Sequence, residues 1–115
     1  MIVEFEAPLW EWDARQESWT FVSLPADASE DIKHLTEGLR RGFGAVKVRA
    51  TIGRSEWSTS IFPDSRRGSY VLPVKRAVRE ANKLATGDLT AVRSRCSLRD
   101  RQSVHSAIPS VTDLR

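Results

Sequence analysis

The sequence predicts a mainly β domain, a small closed barrel capped by two helices in the order β-β-α-β-β-β-α-β. Short stretches in which apolar and polar residues alternate recur along the chain, and such alternation is typical of strands with one buried face. Glycine and proline separate these stretches as turns. Only two stretches have helical spacing, which is too few to cover both faces of an open parallel sheet. Closing the sheet into a barrel would remove its exposed edges.

The first part of the chain predicts a hairpin followed by a helix. Residues 2–13 alternate between apolar side chains and glutamates, and Pro8 within them predicts an edge strand or a bend. Residues 19–24 form the partner strand after a short polar turn. Asp27 begins a capping-box-like pattern, and apolar residues at helical spacing then predict a helix over about 28–40.

The middle of the chain carries the clearest strand pattern. Residues 46–52 alternate strictly between apolar and polar side chains. The loop 53–56 contains glycine and has the length of a hairpin connection, so residues 57–62 are predicted to return beside the first strand. A turn then leads to a short strand at 70–72. The side chains predicted to be buried are Val46, Val48, Ile52, Ile61, Val74 and Val78, and those predicted to be exposed are Lys47 and Arg49.

A second helix and a last strand complete the pattern. Pro73 is suited to a first helical position, and apolar residues at helical spacing predict an amphipathic helix over 73–85. Residues 88–98 alternate again and predict the final strand. Residues 99–115 are rich in serine and poor in aromatic side chains, so they are interpreted as a C-terminal tail after a domain of residues 1–98.

Several short motifs follow one another in a characteristic order. They are Phe21-Val22-x-Leu24-Pro25, Arg41-Gly42-Phe43-Gly44-x-Val46-x-Val48, Thr51-Ile52-Gly53, Trp57-x-Thr59-Ser60, Phe62-Pro63, Tyr70-x-Leu72-Pro73-Val74-Lys75-x-x-x-Arg79 and Gly87-Asp88. In this order they resemble a small prokaryotic family of domains of unknown function, over about Val3 to Leu98. The resemblance implies a double-split β-barrel capped by helices, often fused to a YdeI/OmpD-associated domain. AbrB/MazE-like DNA-binding regulators share that fold class, but a shared fold does not carry function.

The chain departs from the pattern of that family in two places. Arg54 follows Gly53 where the resemblance leads us to expect a second glycine, so the tip of this hairpin is expected to differ. No second domain is expected after Leu98, so the resemblance does not extend to any function of the fused architecture.

Charge is distributed unevenly along the chain, although the net charge is only +3. Residues 1–40 hold nine acids and three bases, whereas residues 41–115 hold six acids and fifteen bases. Such asymmetry indicates a surface for nucleic acid or another anion. It is also compatible with a fold in which the acidic and basic halves interleave and the field largely cancels. The sequence leaves both interpretations open.

Neither a membrane segment nor a catalytic or metal site is predicted. No apolar run approaches the roughly 18 residues of a membrane helix, and the acidic N-terminus is unlike a signal peptide. Cys96 is the single cysteine and points into the predicted core, and a chain without disulfides is typical of the cytoplasm. His34 and His105 lack ligand partners at metal-binding spacing. The hydroxyls of residues 58–60 lack the strand-to-helix elbow of a nucleophilic serine, so neither an enzyme nor a cofactor is predicted.

An anion site is predicted where the second helix begins. Bases follow Pro73 within two turns, and backbone N–H groups at a helix start have no intrahelical acceptor. Hydroxyls of the strand that starts at Trp57 reach the same place if that strand lies beside residues 70–72. The alternative is a solvated helix face whose bases pair with Glu80. The candidate residues are Lys75, Arg76, Arg79, Ser58 and Ser60.

Tryptophan is abundant for a chain of this length, with four residues. Trp10 and Trp12 have the same parity on the first strand and therefore share a face. They form either a stacking surface for a ligand or single-stranded nucleic acid, or packing at one end of the barrel. The sequence thus indicates a small binding or interaction module for an anionic small molecule or a protein partner, with nucleic-acid binding through the basic second half as the alternative.

Overall fold

The computed structural model describes residues 1–14, 17–36 and 44–96. These residues form a mainly β structure with two helices, as the sequence predicts. The strands are β1 (Ile2–Pro8), β2 (Trp10–Ala14), β3 (Glu17–Ser23), β4 (Val46–Ile52), β5 (Ser55–Asp64), β6 (Ser69–Pro73) and β7 (Leu89–Cys96). The helices are α1 (Ala26–Thr36) and α2 (Arg76–Ala81). The predicted tail, 99–115, lies outside the described residues.

The seven strands form one antiparallel sheet in the order β1-β7-β4-β5-β6-β3-β2. The sheet is an open half-barrel, and the closed form predicted from the sequence is not seen. Its two edge strands, β1 and β2, are consecutive in the chain but are not joined by a ladder in the described part of the sheet. The single first strand expected over 2–13 is therefore two strands, so the element order gains one β.

Leu9 explains where the first strand divides. Its side chain is only 1% exposed, so the chain turns inward between β1 and β2. Its backbone N–H donates to the carbonyl of Asp88 at 2.9 Å, and its carbonyl accepts from the N–H of Gly87 at 2.8 Å. These bonds replace ladder bonds at the bend, and Pro8 has no N–H to continue the ladder. The bend sends β1 to one edge of the sheet and β2 to the other.

The alternation of side chains along β4 and β5 buries the residues that the sequence predicts to be in the core. All six side chains expected to be buried are buried, and Lys47 and Arg49 are exposed. The register pairs Val46 with Ile61 and Val48 with Thr59, so one face of both strands lines the interior. In the last strand, Val92, Ser94 and Cys96 are buried while the arginines between them face solvent.

The second helix is shorter than the apolar spacing predicts. It spans Arg76–Ala81 rather than 73–85, because tertiary contacts hold the residues before it in an extended conformation. Pro73 ends β6, and the N–H of Val74 donates to the carbonyl of Thr20 at 2.9 Å, which ties the segment to β3. Lys75 is extended, with φ −69° and ψ 160°, so the helix begins only after it.

The hairpin between β4 and β5 turns at Gly53 and Arg54. Ile52 pairs with Ser55, so the connection has two residues, and the expected loop is shorter because Ser55 and Glu56 belong to β5. Gly53 has φ +59°, whereas Arg54 has no positive φ. A turn that needs glycine only at its first central position accepts arginine at the second. The departure at Arg54 is therefore compatible with a tight hairpin.

Gly53→Ala is expected to lower the free energy of unfolding by about 1 kcal/mol more than Gly68→Ala. Both glycines have a positive φ, so both variants carry the backbone strain. A Cβ at Gly53 would also meet the side chain of Asn82, whereas nothing lies within 4 Å of one at Gly68. Asn82 Nδ2 donates to Ser55 Oγ at 3.0 Å and to the Val78 carbonyl at 2.8 Å, so it cannot move without losing these bonds. Urea unfolding of the two variants checks this; equal losses would contradict the contact with Asn82.

Candidate anion-binding site

A gap in the sheet forms a cleft with basic, hydroxyl and aromatic side chains in its lining. Strand β6 pairs with Phe62–Asp64 of β5 and with Phe21–Ser23 of β3 only, and it ends at Pro73. The first halves of β3 and β5 therefore extend beyond it on either side. The segment 73–75 crosses this opening before α2 begins. The resulting space, the β3–β5 cleft, has a volume of about 480 Å³.

Three basic side chains line the β3–β5 cleft. Arg79 is held in place because its Nε donates to the carbonyl of Val74 at 3.2 Å. Arg76 Nε donates to Glu80 Oε2 at 2.9 Å, but both side chains are largely exposed and such pairs contribute little. Lys75 is exposed at the end of the extended segment. Of the three basic side chains, Arg76 pairs with Glu80, as the alternative of a solvated helix face anticipated. No described residue that lines the cleft is acidic.

Hydroxyls and backbone amides form the opposite side. Ser58 and Thr59 of β5 and Thr20 of β3 line the cleft. Ser58 Oγ accepts a hydrogen bond from Arg49 Nη1 at 2.9 Å, and Arg49 Nε lies 3.2 Å from Glu56 Oε2. Among the described strands, residues 57–61 of β5 have ladder pairs only with β4. Because N–H groups alternate in direction along a strand, some of them point toward the cleft.

The structure brings four of the five candidate residues together. Lys75, Arg76, Arg79 and Ser58 all line the β3–β5 cleft, although the amides of a complete helical turn after Pro73 do not contribute. Ser60 is not among the lining residues. It shares the outer face with Ser58 and pairs across the ladder with Lys47, one step further from the cleft.

Two tryptophans that sequence reasoning did not assign to the site form its apolar wall. Trp57 is 7% exposed and closes the cleft on the core side, whereas Trp19 is 47% exposed. The predicted hairpin contained a signal for the position of Trp19, because a turn between β2 and β3 places Trp19 opposite Trp12. Pro73 marks the end of β6 in the sequence, but the register that leaves Trp19 of β3 beyond that end has no local signal.

The two tryptophans predicted as a stacking pair differ in environment. Trp10 is half-buried: its indole N–H donates to Ser23 Oγ at 2.9 Å, and the Arg67 guanidinium lies 3.7 Å from its ring centroid. Its ring also packs against Phe21, with centroids 5.0 Å apart. Trp12 is 47% exposed and lies directly opposite Trp19. Packing therefore accounts for Trp10, whereas Trp12 and Trp19 present aromatic surface to solvent.

The other residues considered from the sequence have structural surroundings. His34 is exposed, with Nε2 3.3 Å from Glu30 Oε2. Cys96 is buried, and this burial raises the pKa of its thiol, while the positive N-terminus acts in the opposite direction. Within residues 1–14, 17–36 and 44–96, no cluster of three or more potential metal ligands occurs. His105 lies outside the described residues.

The charged halves of the sequence meet across the sheet. Arg93 of β7 lies 3.6 Å from Glu4 of β1, which joins the basic second half to the acidic first half. Arg49 pairs with Glu56 on the same outer face. The Arg93–Glu4 pair therefore joins the two halves as one interpretation of the sequence anticipated, whereas the Arg49–Glu56 pair lies within the second half. No helix in the described structure is long and apolar enough to cross a membrane.

The fold and the cleft define a small, mainly β domain of the half-barrel type, with a basic cleft beside a shortened central strand. A family model described as "Domain of unknown function (DUF1905)" matches residues 5–93. The match covers most of the chain, and the chain therefore belongs to the DUF1905 family. Among curated proteins, none matches the chain. The family membership agrees with the resemblance to a family of unknown function.

Proposed function

We propose that the domain is a small binding module that holds an anionic small molecule in the β3–β5 cleft. The observation that carries the proposal is the convergence of Lys75, Arg76 and Arg79 on a cleft with no acidic side chain among its described lining residues. Hydrogen bonds between cationic side chains and an anion are stronger than those between neutral groups. A cleft of about 480 Å³ lies in the range of small-molecule sites, which favours a small ligand over a protein partner.

A second candidate is nucleic-acid binding through the outer face of β4 and β7. Lys47 and Arg49 of β4 share this face with Arg93 and Arg95 of β7, and Arg49 pairs directly with Arg95 across the ladder. Arg49 and Arg93 already have carboxylate partners. The β3–β5 cleft is preferred as the anion site, because no described residue that lines it is acidic, whereas Arg49 and Arg93 lie on an open sheet face beside carboxylates.

Other features of the proposal rest on the resemblance and on composition. The barrel is proposed to be of the double-split subtype, with a domain that ends at residue 98. The matched motifs and the family match over residues 5–93 support this boundary. A cytoplasmic location is proposed because the sequence contains one cysteine, whose thiol is buried.

Inorganic phosphate is expected to bind in the millimolar range and to shift the amide resonances of Val74 to Arg76. The double variant Lys75→Ala/Arg76→Ala is expected to weaken binding at least about tenfold, because a charge-assisted hydrogen bond contributes about 1.5–3 kcal/mol. The matched control, Lys47→Ala/Arg95→Ala, removes the same charge from exposed residues outside the cleft and should change affinity less than about twofold. An equal loss in both variants would mean that phosphate responds only to net charge. If the Val74 to Arg76 resonances do not move in the unmodified chain, the anion site is elsewhere.

A further inference from the structure

We propose that the ligand of the β3–β5 cleft is a nucleoside monophosphate, whose base stacks on Trp19 and whose phosphate is held by Lys75 and Arg76. This inference rests on the proposed anion binding and adds the part of the ligand that is not an anion. Its basis is the presence of an exposed indole and of three basic side chains in one cleft, which is the combination that a planar nucleobase linked to a phosphate requires.

Trp19 has the surroundings of a preorganised stacking residue. It is 47% exposed although it lies on a strand of the sheet, so a large aromatic surface remains in contact with water. The Phe21 ring lies beside it, with centroids 6.4 Å apart and an interplanar angle of 15°. Phe21 is in turn packed against Trp10, which Arg67 covers. This row of rings limits the rotamers of Trp19. The stacking of a nucleobase on Trp19 therefore costs little side-chain entropy.

The polar groups of the cleft suit the remainder of a nucleotide. Lys75 and Arg76 supply positive charge at the edge of the cleft, and Arg79 supplies it deeper, beside the Val74 carbonyl. Thr20 and Thr59 line the same space and offer hydroxyls that can both donate to and accept from ribose hydroxyls. An inorganic anion would contact only the basic side chains, and the aromatic wall of the cleft would stay exposed to water.

A free mononucleotide fits the surroundings of the cleft better than a nucleotide within a single strand of nucleic acid. Outside the cleft, basic side chains of the outer sheet face lie beside carboxylates, since Arg49 lies against Glu56 and Arg93 against Glu4. A strand continuing past the cleft would place its next phosphates near these carboxylates, which like-charge repulsion disfavours. A mononucleotide and a single-stranded nucleic acid share the same nucleobase and phosphate chemistry, so the test includes both ligands.

The test compares adenosine 5′-monophosphate, ribose 5-phosphate and a single-stranded DNA of about ten nucleotides, a length within the usual site size of single-strand binders. Calorimetry on the chain of residues 1–115 is expected to show adenosine 5′-monophosphate binding about tenfold more tightly than ribose 5-phosphate. Trp19→Ala should remove this advantage and leave the affinity for ribose 5-phosphate within about twofold, which also shows that the variant is folded. Trp12→Ala is the matched control, because Trp12 is equally exposed at 47% but does not line the cleft. It should change neither affinity by more than about twofold.

Three outcomes would overturn the inference. Equal binding of the nucleotide and of ribose 5-phosphate would leave the anion site intact and remove the stacking. Equal losses in Trp12→Ala and Trp19→Ala would assign the aromatic contact to the hairpin surface rather than to the cleft. Binding of the oligonucleotide without the mononucleotide would favour the nucleic-acid alternative. Failure of ribose 5-phosphate and inorganic phosphate to bind would instead overturn the proposed function itself.

Discussion

Leu72→Ala is expected to lower the free energy of unfolding by about 3–5 kcal/mol. Leu72 of β6 is 0% exposed and pairs across the ladder with Val22, which is also 0% exposed. Strand β6 joins the two parts of the sheet, because β5 lies on one side of it and β3 on the other. A cavity at this position removes contacts from both sides, and neighbouring strands that are fixed by hydrogen bonds cannot collapse into it. Urea or guanidinium unfolding measures the loss.

Leu89→Ala is the control for this substitution. Leu89 begins β7 but is 63% exposed, so the same atoms are removed without creating a cavity. The expected change is less than about 0.5 kcal/mol. A loss below about 1 kcal/mol for Leu72→Ala would mean that the interior around β6 is loosely packed and that the half-barrel has no single core.

Local periodicity predicts β4 and β5 correctly but misses the division of residues 2–13 into two strands, and the reason for its success is visible in β4. Its side chains alternate strictly because one face covers the core and the other meets water, so burial follows directly from parity. The second helix was predicted less well. Pro73 is a residue type suited to a first helical position, but it ends β6, and the bond from the Val74 N–H to the Thr20 carbonyl holds this segment against β3. The two residues that make this bond are 54 positions apart in the sequence, and no local pattern predicts it.

The contrast between local patterns and contacts distant in sequence also explains which residues of the cleft were predicted from the sequence and which were missed. Lys75, Arg76 and Arg79 are close in sequence, so any compact conformation of the segment keeps them together. Trp19 joins them only because β6 stops at Pro73 and leaves β3 uncovered. Ser60 was assigned to the site together with Ser58, on the expectation that their strand lies beside residues 70–72, and the two residues do share a face. The position of Ser60 along β5 is fixed by the register of the sheet and not by parity.

Ser29→Ala is expected to lower the free energy of unfolding by about 1–3 kcal/mol. Ser29 is 5% exposed on α1, and its Oγ accepts a hydrogen bond of 2.9 Å from the backbone N–H of Tyr70 in β6. The bond attaches the helix to the central strand. Alanine would leave the N–H of Tyr70 buried without its acceptor, and the better helix propensity of alanine offsets only about 0.5 kcal/mol of that cost.

Ser94→Ala, the same substitution at an equally buried position, is expected to act in the opposite direction. Ser94 is 0% exposed, and its Oγ has no hydrogen-bond partner among the residues that the structure describes. Its neighbours across the ladders are Val3 and Ala50, which offer only apolar side chains. Removing a desolvated hydroxyl from such a place should raise the free energy of unfolding by about 1 kcal/mol, because the group lost its water without gaining a bond. Parallel denaturant titrations of the two variants give the sign of each effect. Destabilisation by Ser94→Ala as large as that by Ser29→Ala would show that the Ser94 hydroxyl is hydrogen-bonded in solution, with a buried water as the available partner.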